Sequence, residues 1–401
     1  MIRGLFFNML ILAANFLIPI IIIPIISKNY QDYYLSYFLF SQSLLSIMMI
    51  LIDWTFSTTG VKELNNCKSE LEQISLFINI SLLRITIFIA LVLIIFIWVY
   101  INEQESILID CSPILLSAIS FAISPIFYLQ FKEKIKIYSI LNATSKLLFI
   151  LFTIIITQHN LDFYLIPLLF FLSMVSVPLF YWLKYFLQIR KEYIFERYEI
   201  IRLFKTYFPF MLASLSSSTY RVFPVVIGGV FGVGMSSFTA YAVVDRIVRG
   251  ASSLIQPLSQ TILPLILKDG FKKSFFYIYL CFGFLLSVIL FCFGRFILEV
   301  LIKDQNVITI ANDYLYYLSI VPLIISISSY LGNQRLIVYS EINIMNKVLF
   351  LISIFSCLYL IVVFFYIKQI NSLIYLNIIA ESLVLLGFFY GCRTKKINIF
   401  R

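Results

Sequence analysis

The stretch YAVVDRIVRGASSLIQPLSQTILPLILKD (Tyr241 to Asp269) places Asp245, Arg246 and Arg249 inside an apolar run. Ser252, Ser253, Gln256 and Gln260 follow them. Drawn as a helix at about 100° per residue, all seven fall on about one third of the circumference. Asp245 and Arg249, four residues apart, can neutralise each other. Arg246 is left over. The preceding stretch SLSSSTYR puts Ser214, Ser217, Ser218 and Arg221 on one face at the spacing i, i+3, i+4, i+7. Arginine holds phosphate through several directed hydrogen bonds, so a face of this kind suits an anionic, phosphate-bearing ligand. Arg84 and Lys146 lie in other apolar runs, as do the acids Asp53 and Glu381.

These residues need an unusual setting. The chain has 401 residues, 61% hydrophobic and 12% charged, where a soluble protein is about 25% charged. Its mean hydropathy is +0.99. An all-α integral membrane protein is expected. Twelve stretches are apolar and long enough to span a bilayer: 4–27, 33–56, 74–100, 111–131, 137–157, 164–187, 205–229, 238–267, 274–302, 314–339, 348–367 and 372–392. A charge at the centre of such a helix costs about 2.5–3.5 kcal/mol on insertion scales and marks a pathway by default. Ion pairs that glue helices together are the competing account. They do not require a polar run as long as the one reaching Gln260.

The loop charges set an orientation. With the N-terminus inside, nearly all loop Lys and Arg fall on the inner side, Arg335 and Lys347 among them. The outer loops hold Lys28, Lys303 and Lys368. Both termini are therefore expected in the cytoplasm. The net charge of +10 is topological on this reading, and no nucleic-acid partner is expected. No cleavable leader is read in the first apolar run, which is expected to stay as a helix. The cysteines are scattered without CxxC spacing, and His159 is the single histidine, so no metal or cofactor is expected.

The longest inner loop, QIRKEYIFERYEIIRLFK (Gln188 to Lys205), has mixed charge and reads as an amphipathic surface helix. It divides the chain into an N-terminal lobe, 1–190, a linker, 191–204, and a C-terminal lobe, 205–401. Each lobe would hold six helices, and a faint repeat at an offset of about 204 residues makes the two run the same way. Polar residues on helix one (Asn8, Asn15), helix two (Gln42, Ser46, Asp53), helix seven and helix eight point to one central cavity between the lobes.

Four stretches together resemble the O-antigen and polysaccharide flippases (Wzx-type) of the multidrug/oligosaccharidyl-lipid/polysaccharide exporter superfamily. They are LIDWTFSTTGVKEL (Leu51 to Leu64), SPIFYLQFKEKIKIYSILNATSK (Ser124 to Lys146), the Tyr241 stretch with Tyr241, Asp245, Arg246, Pro257, Gln260 and Pro264, and VPLIISISSYLGNQRLIVYSE (Val321 to Glu341). Phe131 stands where that family usually has glycine, so no role is carried to it. The resemblance implies a transporter, not an enzyme, in the bacterial inner membrane. It would carry an undecaprenyl-diphosphate-linked oligosaccharide from the inner to the outer leaflet, alongside membrane lipids, a polysaccharide polymerase and a chain-length regulator. Arg221, Arg246, Arg249 and Arg84 would hold the diphosphate, with Arg221 and Arg249 foremost. Ser217 and Gln256 would bond sugars. Asp53, Asp245 or Glu381 would couple an ion or proton. No phosphate-binding loop for ATP is present. A drug exporter of the same superfamily would favour an acidic cavity. A polymerase would need a large outer loop, and none is expected here.

Overall fold

A computed structural model describes residues 20–397 apart from 55, 102–104, 190–196, 260–261, 263–265, 267–271 and 340. Asn8, Asn15 and Gln260 lie outside the described residues. All regular structure among the described residues is helical. The elements are α1 (Ile20–Asn29), α2 (Asp32–Asp53), α3 (Phe56–Leu64), α4 (Glu70–Ile101), α5 (Glu105–Leu116), α6 (Ile119–Ala122), α7 (Ile126–Phe131), α8 (Ile135–Gln158), α9 (Leu165–Ile189), α10 (Arg197–Ser218), α11 (Phe223–Gly232) and α12 (Ser236–Ser253). They continue with α13 (Lys273–Leu301), α14 (Gln305–Leu318), α15 (Val321–Ser329), a π-helical segment Tyr330–Leu336, α16 (Ile342–Val362) and α17 (Asn371–Thr394).

Nine helical segments among the described residues are long and apolar enough to cross a membrane, and two shorter apolar helices, Ile20–Asn29 and Phe223–Gly232, accompany them. The chain is an all-α, multi-pass membrane protein. Its outward faces are apolar: Leu93, Ile94, Phe96 and Ile97 on α4 are all more than half exposed. In hydrocarbon the helix satisfies its own backbone, and such side chains face a solvent as apolar as themselves.

Several expected spans are broken, and the breaks have causes. The stretch 111–131 forms three pieces, α5, α6 and α7; Pro113 lies inside α5, and Pro125 stands at the break before α7. Proline lacks the N–H that would continue the ladder. The stretch 205–229 breaks at Thr219–Val222, and Pro224 then opens α11, where its missing N–H has no helical partner to lose. Of the expected surface helix at 188–205, residues 190–196 lie outside the described residues. α9 runs to Ile189, and α10 runs unbroken from Arg197 to the serine-rich Ser214–Ser218. Its first turns are tied down by Arg202, which pairs with Glu199 at 2.6 Å and with Glu63 of α3 at 3.2 Å.

The tenth span starts nine residues earlier than expected. Asp304 caps α14, its carboxylate accepting from the Asn306 backbone N–H at 2.9 Å. The same span ends in the π-helical segment, which corrects the placement of Arg335 in an inner loop. Arg335 is fully buried, and its guanidinium donates to Tyr330 Oη at 2.7 and 3.0 Å.

The chain divides into two compact units. The first comprises residues up to Ile25 and Ser41–Leu215. Its core includes Phe77, with ring centroids 5.7–5.9 Å from those of Tyr128, Phe127 and Tyr185. The second comprises Ile26–Phe40 and the chain from Ser216 onward. There Ser36 Oγ accepts from the Gly234 backbone N–H at 2.7 Å, at a position whose φ of 90° suits glycine. α13 and α15 touch closely at Gly283, and Ser326 Oγ donates to the Tyr279 carbonyl at 2.6 Å.

Candidate functional site

In the first unit α2 ends on Asp53. The chain then turns through Trp54, whose φ of 47° lies in the left-handed region that non-glycine residues rarely adopt. The indole stays 3% exposed, and its ring centroid lies 4.7 Å from that of Phe204 and 5.8 Å from that of Phe208. This turn leaves Asp53 facing α4. Arg84 of α4, 1% exposed, donates to Asp53 Oδ1 at 2.5 Å and to the Asp53 carbonyl at 3.2 Å. Its guanidinium carbon sits 5.4 Å from the Phe56 ring centroid and 5.6 Å from that of Phe127, within cation–π range. Arg84 Nε has no hydrogen-bond partner among the described residues.

Two of the family-like stretches meet here. Leu51–Leu64 supplies Asp53, Trp54, Phe56 and Gly60, and Ser124–Lys146 supplies Phe127. A Cβ on Gly60 would lie 2.6 Å from Phe127 Cδ2, so the bare glycine admits the ring that covers Arg84. A cavity of about 400 Å³ opens beside the pair, lined by Ser46, Asp53, Arg84, Ser124 and Ser214 together with apolar side chains. Asp53 keeps 30% of its side chain exposed to it, whereas Arg84 is covered. In this cavity the acid, not the arginine, is presented.

In the second unit four charges gather. Arg221 sits in the turn between α10 and α11, outside regular helix. Its Nε donates to Glu381 Oε1 of α17 at 2.9 Å. Arg249 pairs with Asp245 one turn back on α12. Both pairs line one cavity of about 50 Å³ with Ser252 and Asn377. Asn377 Nδ2 donates to Tyr241 Oη at 3.0 Å, one turn from Glu381. Ser252 Oγ and Glu381 Oε2 are buried without hydrogen-bond partners among the described residues.

The two arginines differ from the acids in exposure. Asp245 and Glu381 are 5% and 4% exposed in their side chains, Arg249 is 30% and Arg221 46%. Arg221 is bonded through Nε alone, so both its Nη groups are open for further acceptors. Its carbon lies 5.2 Å from the Tyr220 ring centroid. The buried acids orient the arginines, and the arginines present N–H groups.

The structure thus brings together Arg221, Arg249, Asp245 and Glu381 in one unit and Arg84 with Asp53 in the other. Arg246 is half-buried, makes no ion pair among the described residues and lines neither cavity. Gln256 is exposed and also lines neither. The side chain of Ser217 lies outside what the structure describes. The surplus positive charge read on helices seven and eight is reduced by Glu381, which arrives from 160 residues away. Asn377 was not foreseen. Its spacing of four from Glu381 on an apolar helix is the signal that could have found it.

A family model for polysaccharide biosynthesis protein matches residues 1–268. The chain is 23% identical over 371 residues to a Shigella dysenteriae protein provisionally named an O-antigen transporter, covering 87% of this chain and 89% of that one. Its fold is similar to that of the lipid II flippase MurJ in an inward closed conformation, with TM-score 0.71, 16% identity, and 96% of this chain and 87% of that chain covered. It is also similar to an inward-facing multidrug resistance MATE family transporter of the MOP superfamily, with TM-score 0.65, 12% identity and coverage of 95% and 94%. At these identities the likeness to the solved structures is one of fold.

Proposed function

The chain belongs to the polysaccharide biosynthesis protein family, and from that premise we propose that it is a flippase for undecaprenyl-diphosphate-linked O-antigen or polysaccharide repeat units. It moves them from the cytoplasmic to the periplasmic leaflet of the bacterial inner membrane by alternating access between two six-helix lobes. Both termini are cytoplasmic. A polymerase and a chain-length regulator act on what it delivers.

The observation that carries this reading is Arg221. A diphosphate does not cross about 30 Å of hydrocarbon unaided. Arg221 lies at a break between membrane helices, is aimed from one side by a buried carboxylate, and keeps both Nη groups open. A preset guanidinium fork of that kind bonds two phosphate oxygens at once. Arg249 stands across the same small cavity and adds a second donor set. Transport of this kind makes and breaks no covalent bond, so the chain needs no catalytic residue. Asp53, Asp245 and Glu381 serve coupling: each is paired with an arginine, and a proton competes for the acid while a diphosphate competes for the arginine.

Export of drugs is favoured by a different observation, the likeness in fold to the MATE transporter. In the second unit the acids are covered and the arginines presented, which opposes binding of cationic drugs. In the first unit the exposure is reversed.

The test is the leaflet distribution of lipid-linked oligosaccharide in membranes of a strain lacking this gene, rescued with wild type or Arg221→Ala. The expected result is inner-leaflet accumulation cleared by wild type and not by Arg221→Ala. Assembled polymer outside the cell without accumulation overturns the reading and favours export of another substrate.

A further inference from the structure

Resting on the transport reading, we infer that α14 and α17 form a separate sugar-binding subsite on the side of the membrane opposite the basic loops. A cavity of about 400 Å³ is lined by Asp313, Tyr314, Tyr316, Tyr317, Asn371 and Tyr375. α14 enters from Lys303 and α17 from Lys368, two of the sparse basic residues of that side.

The exposed face of α14 is polar where a lipid-facing helix is not. Asn306, Thr309, Asp313, Tyr316 and Tyr317 are all exposed and fall within an arc of about 100° at about 100° per residue. The neighbouring α13 exposes Phe284, Leu285, Phe291 and Phe293 instead. A belt of interfacial tyrosines accounts for rings at a membrane edge. It does not account for Asp313, which is exposed about 12 Å along the helix from Gln305 and has no ion-pair partner among the described residues. An exposed carboxylate there is open to accept from a polar ligand.

The groups at the cavity match a pyranose. Tyr316, Tyr317 and Tyr375 are 58%, 50% and 50% exposed, and the centroids of Tyr317 and Tyr375 lie 6.4 Å apart at an angle of 57°. The electron-rich ring face attracts the weakly positive C–H groups of a sugar face. Tyr314 Oη donates to Asn371 Oδ1 at 2.6 Å, which fixes the amide with its Nδ2 turned away from that bond as a donor. Asp313 supplies acceptors for sugar hydroxyls. No arginine or lysine lines this cavity, so it does not suit the diphosphate, and the two parts of one substrate are recognised by different chemistry.

The experiment uses the full chain in nanodiscs. Binding is measured for a polyprenyl diphosphate bearing an N-acetylglucosamine disaccharide and for the same polyprenyl diphosphate without sugar. The sugar-bearing lipid is expected to bind wild type about three- to tenfold tighter, the scale of one or two ring contacts. Tyr317→Ala and Tyr375→Ala should abolish that advantage and leave the bare lipid unchanged, and Tyr317→Phe should keep it. Equal binding of the two lipids by wild type, or an advantage untouched by both alanine variants, overturns the subsite alone. Failure of wild type to bind either lipid overturns the transport reading and the subsite with it. Binding of tetraphenylphosphonium that depends on Asp313 without any sugar advantage assigns the cavity to organic cations and also overturns the inference.

Discussion

Asp53 and Arg84 are 31 residues apart in the chain and are bonded at 2.5 Å, the acid half-open to a cavity and the arginine sealed behind Phe56 and Phe127. Removing one partner of a buried pair strands the other. Asp53→Ala is expected to destabilise the protein by about 3 kcal/mol. The double variant Asp53→Leu/Arg84→Met should be more stable than either single variant, because no charge is left unpaired. Thermal unfolding of the detergent-solubilised chain checks both. A double variant less stable than Asp53→Ala would show that the pair contributes more than mutual neutralisation.

Arg221 and Glu381 should separate by the substitution made. Arg221→Ala removes the open Nη groups and is expected to abolish transport. Arg221→Lys keeps the charge without the planar fork and should retain part of it. Glu381→Gln keeps a hydrogen-bond acceptor for Nε and should impair transport less than Arg221→Ala. Rescue of cell-surface polysaccharide in the deletion strain reads all three, and wild-type activity in Arg221→Lys would refute the fork.

Gly60→Ala sets a methyl group 2.6 Å from the Phe127 ring. Overpacking of this kind costs about 1–3 kcal/mol. The ring must shift from Arg84 or α3 must move. The expected outcome is a lowered melting temperature that Phe127→Leu partly restores in the double variant, since the shorter side chain clears the methyl.

Cys67 lies between α3 and α4, beside Glu63, Glu72 and Glu199. Burial, and then those three carboxylates, push its thiol pKa above the usual value, with Arg202 opposing. The thiolate is the reactive form, so less of it is present at a given pH. In a variant keeping Cys67 as its one cysteine, maleimide labelling should be slow at neutral pH and rise at a higher pH than for a free thiol. Glu72→Gln should move the profile to lower pH. An unshifted profile would contradict the local field, and labelling from outside intact cells would contradict the topology.

What the sequence disclosed followed the range of the interaction. Asp245 and Arg249 were readable as a pair because a helix places i and i+4 side by side. Asp53 with Arg84 and Arg221 with Glu381 were not, since helix packing alone joins them. The spans 111–131 and 205–229 were each drawn unbroken, because hydropathy does not register the interruptions at 117–118, 123–125 and 219–222. Arg246 and Gln256 share a stripe with Asp245 on an ideal helix. A turn at Leu254 separates α12 from the helical residues 255–259, so the stripe does not lie on one uninterrupted helix. The start of α14 was missed because hydropathy is blind to a cap such as Asp304.

The π-helical segment Tyr330–Leu336 makes chain length itself a constraint. Ile337 N–H donates to the Gly332 carbonyl and Glu341 N–H to the Leu336 carbonyl, each five residues back instead of four. One residue more than an α-helix needs is housed there. Deleting any single residue of the segment would restore the α-helical register and swing everything beyond it by about 100°. The bonds of Gln334 to Ser259 and Tyr279 and the burial of Arg335 belong to the π-helical register. Homologous chains should therefore vary in residue type along this segment far more readily than in its number of residues.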